Sequence, residues 1–293
     1  MDIVIQAIIA GLLVGVSYAV LATGLALIVG VMKIINFAHA EFAVLGMYFP
    51  AYWFLQWWGI DPFISAFLAI PIYFVLGFIL HRLLLERLAG SKEAENSSLI
   101  ITMGLSLLIA NLILIGWSGA PRVINQPYTT ATWSIGTILI NHAQTYSLVI
   151  SLVFIVGLFL FLNKTLTGKA IKAAADDPEG CAYMGINLRF VHGLAFAVAI
   201  ALTGAGGILM ATYRPFSPFF GESIIIILFA SVILGGMTSI SGAFFGALII
   251  GLIQQLSAFV LPVDLQNVAV FTVLVLILYI RPEGLFGKKG RVV

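Results

Sequence analysis

Between Ile3 and Val31 the chain carries no acidic or basic side chain. Roughly 20 predominantly apolar residues suffice to cross a bilayer, so this run constrains everything after it. Leu148–Leu162 and Ala269–Ile280 are equally free of charge. In hydrocarbon no water satisfies backbone N–H and C=O groups, which leaves helices and closed barrels as the only spanning structures. Barrel strands show short segments of alternating hydrophobicity, whereas these runs are continuous. The composition agrees, with 61% hydrophobic and 9% charged residues and a mean hydropathy of +1.13. Soluble domains are typically about half apolar and a quarter charged. The sequence predicts an all-α polytopic membrane protein, folded as one transmembrane domain over residues 1–293.

Several classes drop out early. Asp2 replaces the basic segment that opens a signal peptide, and Ile3 begins a run of full spanning length. The single Cys181 excludes an intrachain disulfide. The histidines at 39, 81, 142 and 192 show no metal-ligand spacing, so no metal site is expected. No nucleic-acid partner is expected either.

Charge sets the orientation. Arg82, Arg87 and Lys92 form one basic cluster. Lys164, Lys169, Lys172 and Arg189 form a second, and Arg281, Lys288, Lys289 and Arg291 a third. Lys and Arg favour the cytoplasmic side, so all three clusters should be cytoplasmic. Asp2, Asp61, Arg122, Arg214, Glu222 and Asp264 then fall outside, with the N-terminus. Crossings are expected at 3–30, 38–58, 62–83, 98–117, 146–163 and 190–212. The runs 223–235 and 241–260 are separated by a glycine-rich break, and they either both cross or form one re-entrant hairpin. The total is therefore about eight or nine transmembrane helices. Tyr52, Trp53, Trp57 and Trp58 mark an interfacial aromatic belt. Residues 118–145 form the main outer loop, with apolar pieces too short to span. Gly11 and Gly15, like Gly242 and Gly246, have the four-residue spacing that allows close helix packing.

The longest polar interruption, 164–189, holds seven charged residues, far more chain than a reversal of direction needs. Thr167 is placed to cap a helix through Lys169-Ala170-Ile171-Lys172-Ala173-Ala174-Ala175. Asp177 suits an N-cap, Pro178 the first helical position and Glu179 the helix dipole. A second short helix should end near Met184, with Gly185 as its left-handed stop. It would expose Ala182, Tyr183 and Met184, small and apolar residues suited to a groove. The plainer alternative is a solvated connector between two spans.

This segment, Lys169 to Asp177 followed by Gly185-Ile186, resembles the cytoplasmic coupling loop of ABC-importer permeases. The match is closest to the branched-chain amino-acid permeases. Ile35-Asn36-Phe37-Ala38-His39-Ala40-Glu41, Leu234-Gly235-Gly236-Met237-Thr238-Ser239-Ile240-Ser241-Gly242-Ala243 and Arg281-Pro282-Glu283-Gly284-Leu285-Phe286-Gly287 resemble further motifs of that family, in order along nearly the whole chain. Two departures are visible. Ala173-Ala174-Ala175 lacks the glutamate of the general importer signature, and Ala40 stands where the family has glycine.

The resemblance implies an importer permease-like bundle and a transport subunit that is not an enzyme. Lys169, Lys172, Ala175, Asp176, Asp177, Pro178, Glu179, Ala182, Tyr183, Met184 and Gly185 would couple it to an ATPase. It also implies a second homologous permease subunit, two cytoplasmic ATPase subunits holding ATP and Mg, and an external solute-binding protein. The location implied is a bacterial inner membrane, and amino acids, branched-chain first, are the implied solutes. The chain itself has no phosphate-binding loop. Gly168-Lys169 is followed by Ala170 where a hydroxyl residue is needed, and Asn163 stands at the first glycine position.

For the translocation path the candidates are Asn36, His39, Glu41, Gly235, Gly236, Thr238, Ser239 and Ser241. Polar and ionisable groups near membrane depth mark pathways, and irregular backbone at depth is tolerated only when buried or lining a cavity. Lys33, close by, argues instead that 36–41 lies at the interface, where these groups would satisfy one another. No charged residue falls at the midpoint of an expected span. Two rivals come from other classes. Gly116-Trp117-Ser118-Gly119 has the form of an intramembrane serine protease motif, with His142 or His192 as base. A gradient-driven secondary transporter would use Glu41 and His39 as a proton relay. Within the importer class, permeases for urea or short amides are the alternative.

Overall fold

The computed structural model describes residues 2–88, 94–259, 261–262 and 265–287. Lys92, Asp264, Lys288, Lys289 and Arg291 of the charge argument lie outside the described residues. The helices are α1 (Asp2–Met32), α2 (His39–Gly46), α3 (Phe54–Trp58), α4 (Pro62–Leu80), α5 (Ala94–Trp117), α6 (Pro127–Thr130), α7 (His142–Lys164), α8 (Leu166–Asp176), α9 (Pro178–Tyr183), α10 (Leu188–Ala211), α11 (Phe220–Gly235), α12 (Ile240–Ser257) and α13 (Gln266–Ile280). A hairpin of β1 (Thr132–Ile135) and β2 (Ile138–Asn141) lies between α6 and α7. Six helices are long and apolar enough to cross a membrane, while α11 and α13 are shorter apolar helices. The remaining crossing is the run 39–58, where a π-helical stretch, Met47–Trp53, joins α2 to α3. Pro50 in that stretch has no N–H to give the α-helical ladder. Among the described residues α11 and α12 form a helical pair joined by a short turn.

Capping residues fix where the helices begin. Asp61 accepts from the Phe63 N–H with Pro62 at the first position of α4. Asn141 and Asn187 cap α7 and α10 in the same way. Gly59 ends α3 at φ 64°.

Burial sorts the helices into layers. In both α1 and α10, 89% of the apolar stretch is buried, against 17% in α5. The first two are the centre of the bundle, and α5 lies at its periphery. Glycines set the central contacts. A Cβ at Gly11 or Gly15 would meet the α12 backbone at Leu252 or Leu248, at 2.9 and 3.0 Å, so α1 and α12 pack at backbone distance.

The connections fall at two ends. One end holds the close of α1, the α8–α9 segment, the turn between α11 and α12, and residues 281–287. Gly30 of α1 lies against Thr238 there. The other end holds the outer loop: Gln6 exchanges two hydrogen bonds with the Leu139 backbone (2.6 and 2.9 Å), and Thr137 donates to Asp2. The chain after α1 does not stay at the first end. Residues 33–38 run back into the bundle, placing Phe37 on Phe229 (5.5 Å) and its N–H on Thr102 (3.3 Å). Lys33, at φ 54°, makes the reversal. His39 meets the Leu21 carbonyl, eleven residues before the end of α1, which is about 16 Å along the helix.

Candidate functional site

The 164–189 segment is two helices folded against the bundle. Thr165, not the expected Thr167, caps α8: its Oγ1 accepts from the Gly168 N–H at 2.9 Å and donates to the Phe161 carbonyl at 2.7 Å. Glycine is required at 168, because a Cβ there would fall on the Phe161 carbonyl where α8 doubles back on α7. Gly168, Ile171 and Ala174 are buried, a spacing of three that puts them on one face. Lys169, Lys172 and Asp176 face water, with Ala175 half-buried. Lys172 donates to Asn163 at 2.8 Å.

The second helix follows the expected scheme. Asp177 Oδ1 accepts from the Gly180 N–H at 2.9 Å, Pro178 takes the first position and Glu179 is exposed in the first turn. Gly185 stops it at φ 79°, with the Ile186 N–H returning to the Cys181 carbonyl at 3.0 Å. Cys181 is buried and pins α9. Ala182 is exposed beside Tyr183 and Met184, which are 88% and 82% exposed. A solvated connector has no need to hold three bare residues on a capped helix. Asp177→Ala removes the cap, at a cost of about 0.5–2 kcal/mol. Amide exchange across 178–184 should then accelerate by roughly 2–30-fold. Unchanged exchange would show that the cap does not hold α9.

The 36–41 segment is not at the interface. Asn36, His39 and Glu41 are buried, and they do not satisfy one another. Asn36 Oδ1 accepts from the Ala38 N–H at 3.1 Å, leaving Nδ2 without a partner. His39 Nε2 lies 3.0 Å from the Leu21 carbonyl and 2.8 Å from Thr203 Oγ1. A carbonyl only accepts, so Nε2 carries the proton. Thr203 in turn donates to the Ala199 carbonyl. The Glu41 carboxylate fills the space a side chain at 221 would take, and its Oε2 has no partner. Glu222 stands exposed beside it on α11. An ionisable side chain therefore does enter the bundle interior, although none marks the midpoint of a span in sequence. The neighbouring crossing of α2 and α10 is bare backbone: Gly46 lies on Gly204, and Gly207 on Ala43.

The glycine-rich break is the turn joining α11 to α12, at the same end as α8 and α9. Gly235 and Gly236 are buried and Gly236 adopts φ 103°. Ser239 caps α12 by accepting from the Gly242 N–H at 3.0 Å, and its Oγ lies 3.3 Å from that of Ser241. Thr238 and Ser241 are exposed. The C-terminal motif completes this turn. Leu285 and Phe286 donate to the Leu234 and Gly235 carbonyls at 2.8 and 3.1 Å. The two glycine motifs are thus one structure, a pairing their separation in sequence conceals.

Two arginines escaped attention as functional groups. Arg214 donates to the Tyr18 hydroxyl (3.1 Å), which donates to Gln254. Arg122 donates to the Tyr52 hydroxyl and the Trp117 carbonyl, both at 2.6 Å. In the outer loop Tyr128 donates to Asp61 at 2.8 Å; burial first, then that carboxylate, holds its hydroxyl above the usual range. The protease arrangement is not assembled: Ser118 closes α5 at φ 67°, His142 packs on Trp133 at 4.1 Å, and His192 lies near the first turn of α10. Among the described residues no cluster has the makings of a metal site.

The family model described as branched-chain amino acid transport system / permease component matches residues 7–280. The high-affinity branched-chain amino acid transport system permease protein BraD of Pseudomonas aeruginosa is 28% identical over 296 residues, covering 97% of this chain and 96% of that one. LivH of Escherichia coli K12, a protein of the same description, is 27% identical over 294 residues, covering 95% and 94%. The probable branched-chain amino acid transport permease protein LivH of Methanocaldococcus jannaschii is 29% identical over 249 residues, covering 82% and 77%. No solved structure matches.

Proposed function

The chain belongs to the family of branched-chain amino-acid transport permease components, and on that premise we propose that it carries branched-chain amino acids through the membrane. It is a multi-pass membrane permease subunit of the ABC importer class and not itself an enzyme. The solute is inferred from what the relatives are named for. Its partners in this reading are a second, homologous permease, two cytoplasmic ATPases that bind ATP and Mg, and an external solute-binding protein. The membrane is the inner membrane of a bacterium.

The observation that carries the reading is the α8–α9 surface. Two capped helices hold Ala182, Tyr183 and Met184 in water, bounded by Lys169, Lys172, Asp176 and Glu179. Such a knob suits a groove on a soluble ATPase. Orientation follows from charge. In this reading the α8–α9 end, where Arg82, Arg87, Lys164, Lys169, Lys172, Arg189 and Arg281 gather, is cytoplasmic and the N-terminus external; the bias of Lys and Arg towards the cytoplasm supports it. Within the path, Asn36, His39 and Glu41 are the interior polar groups. Gly235, Gly236, Thr238, Ser239 and Ser241 shape its cytoplasmic mouth, where the turn they form meets residues 284–287.

The test is co-purification in mild detergent, paired with uptake of labelled leucine. An ATPase and a second permease should accompany the chain and be lost when residues 178–184 are disrupted. A chain that purifies alone and takes up leucine only under an ion gradient would make it a secondary transporter. An ATPase-bound chain that carries urea or short amides but not leucine would keep the importer and change the solute.

A further inference from the structure

A crevice at the cytoplasmic end is lined by Arg82, Glu86, Arg87 and Arg189. The first three come from the end of α4, where a π-helical turn, His81–Leu85, leads into a 3-10 turn, Glu86–Leu88. Arg189 comes from the first turn of α10. The two elements are packed together there: Phe78 meets Phe190 with ring centroids 6.1 Å apart. None of the three arginines forms a hydrogen bond or ion pair among the described residues, although Glu86 shares the crevice. Three guanidiniums against one carboxylate leave a surplus of positive charge in one small space. That surplus draws anions to the opening.

The surroundings identify the anion. Leu83 and Phe190, 57% and 51% exposed, alternate with these arginines along the chain, and Ile79 one turn earlier is 47% exposed. They belong to the lipid-facing ends of two spanning helices, so the crevice opens where headgroups meet acyl chains. A soluble acidic partner would find bare hydrocarbon beside its binding site; a phospholipid matches both surfaces. Basic pockets between helices on the cytoplasmic side are suited to anionic headgroups, and the planar guanidinium fits phosphate oxygens in pairs.

We propose that the Arg82–Arg87–Arg189 crevice is a binding site for the phosphate headgroup of an anionic phospholipid, whose acyl chains lie over Leu83, Phe190 and Ile79. Glu86 weakens the site by opposing a phosphate. The proposal rests on the orientation read above, with this end cytoplasmic, and it stands apart from the identity of the solute.

The test is native mass spectrometry of the full chain with its accompanying subunits, in detergent containing equimolar phosphatidylglycerol and phosphatidylcholine. The wild type should retain phosphatidylglycerol in preference to phosphatidylcholine by on the order of 10- to 100-fold, from about one favourable charge interaction per arginine. The preference should vanish in the R82Q/R87Q/R189Q variant and grow in E86Q. Equal retention of the two lipids by the wild type would overturn the proposal without reference to any variant. So would a preference that survives removal of all three arginines, or inorganic phosphate competing as well as the lipid. Loss of the ATPase from the triple variant, with lipid retention unchanged, would overturn it in favour of an ATPase contact.

Discussion

Gly46→Leu should leave almost no folded protein in the membrane. Residue 46 ends α2 where it crosses α10, and a Cβ there would fall on the Gly204 carbonyl. The obstacle is backbone, so no rotamer change relieves it. Gly204 cannot yield either, because the Tyr73 ring packs on it. Nearby on the same crossing, Gly207 lies on Ala43, so the two helices are held at backbone distance at both places. Helix propensity alone predicts the opposite sign, since leucine is favoured over glycine by nearly 1 kcal/mol in a helix interior. Overpacking a core typically costs about 1–3 kcal/mol even where side chains can give way. A whole leucine against fixed backbone should exceed that range and separate α2 from α10. Fluorescence-detected size exclusion should show aggregate or no protein. Gly104→Leu and Gly157→Leu, at positions where a Cβ meets nothing within 4 Å, should behave as wild type. If Gly46→Leu also elutes as a sharp, thermally stable peak, the α2–α10 crossing is not the tight contact described here.

The same crossing shows why part of this fold could be read in advance and part could not. Hydrophobic runs and cluster charges report on each segment against its solvent, so the long apolar helices and the shared end of the basic loops were legible. Caps are local chemistry, and Asp177-Pro178 and Gly185 were legible for that reason. Thr165 was not chosen over Thr167 because the decision belongs to a long-range contact, Gly168 against the end of α7. The depth of His39 and Glu41 was not legible at all. Lys33 suggested an interface, and residue 33 is indeed near the end of α1, but the chain then turns back along α5 and α11 through Thr102 and Phe229. Nothing in local composition distinguishes a short extended segment that leaves the bundle from one that re-enters it. Likewise Gly235-Gly236 and Gly284–Gly287 each look like flexible punctuation alone. Only their pairing, through Leu285 and Phe286, shows that Gly236 has no room for a Cβ beside Gly287 and Gly284 none beside Gly236, while Gly235 is closed off by Gly242 of α12.

Ala182→Glu combined with Tyr183→Glu should abolish uptake while leaving the membrane fold untouched. Both residues are exposed, and Tyr183 makes no contact that the bundle needs at 88% exposure. Surface substitutions of that kind usually change stability by less than about 0.5 kcal/mol, so the melting temperature and elution of the variant should match wild type. Association is a different matter. A central aromatic anchor at an interface is worth about 2 kcal/mol or more, and two carboxylates driven into an apolar groove must also be desolvated without a partner. ATPase co-purification should therefore fall by at least about 30-fold, and leucine uptake with it. Tyr183→Phe keeps the ring and loses only the hydroxyl, so it should retain both. The contrast isolates coupling from folding: a stable double variant that still binds the ATPase places the dock elsewhere. A double variant that binds the ATPase yet fails to transport would show that α9 transmits movement without supplying the affinity. The Asp177 cap and the Gly185 stop would then matter through rigidity alone, since a frayed helix carries no displacement from a nucleotide-driven partner into α7 and α10, on which α8 and α9 rest.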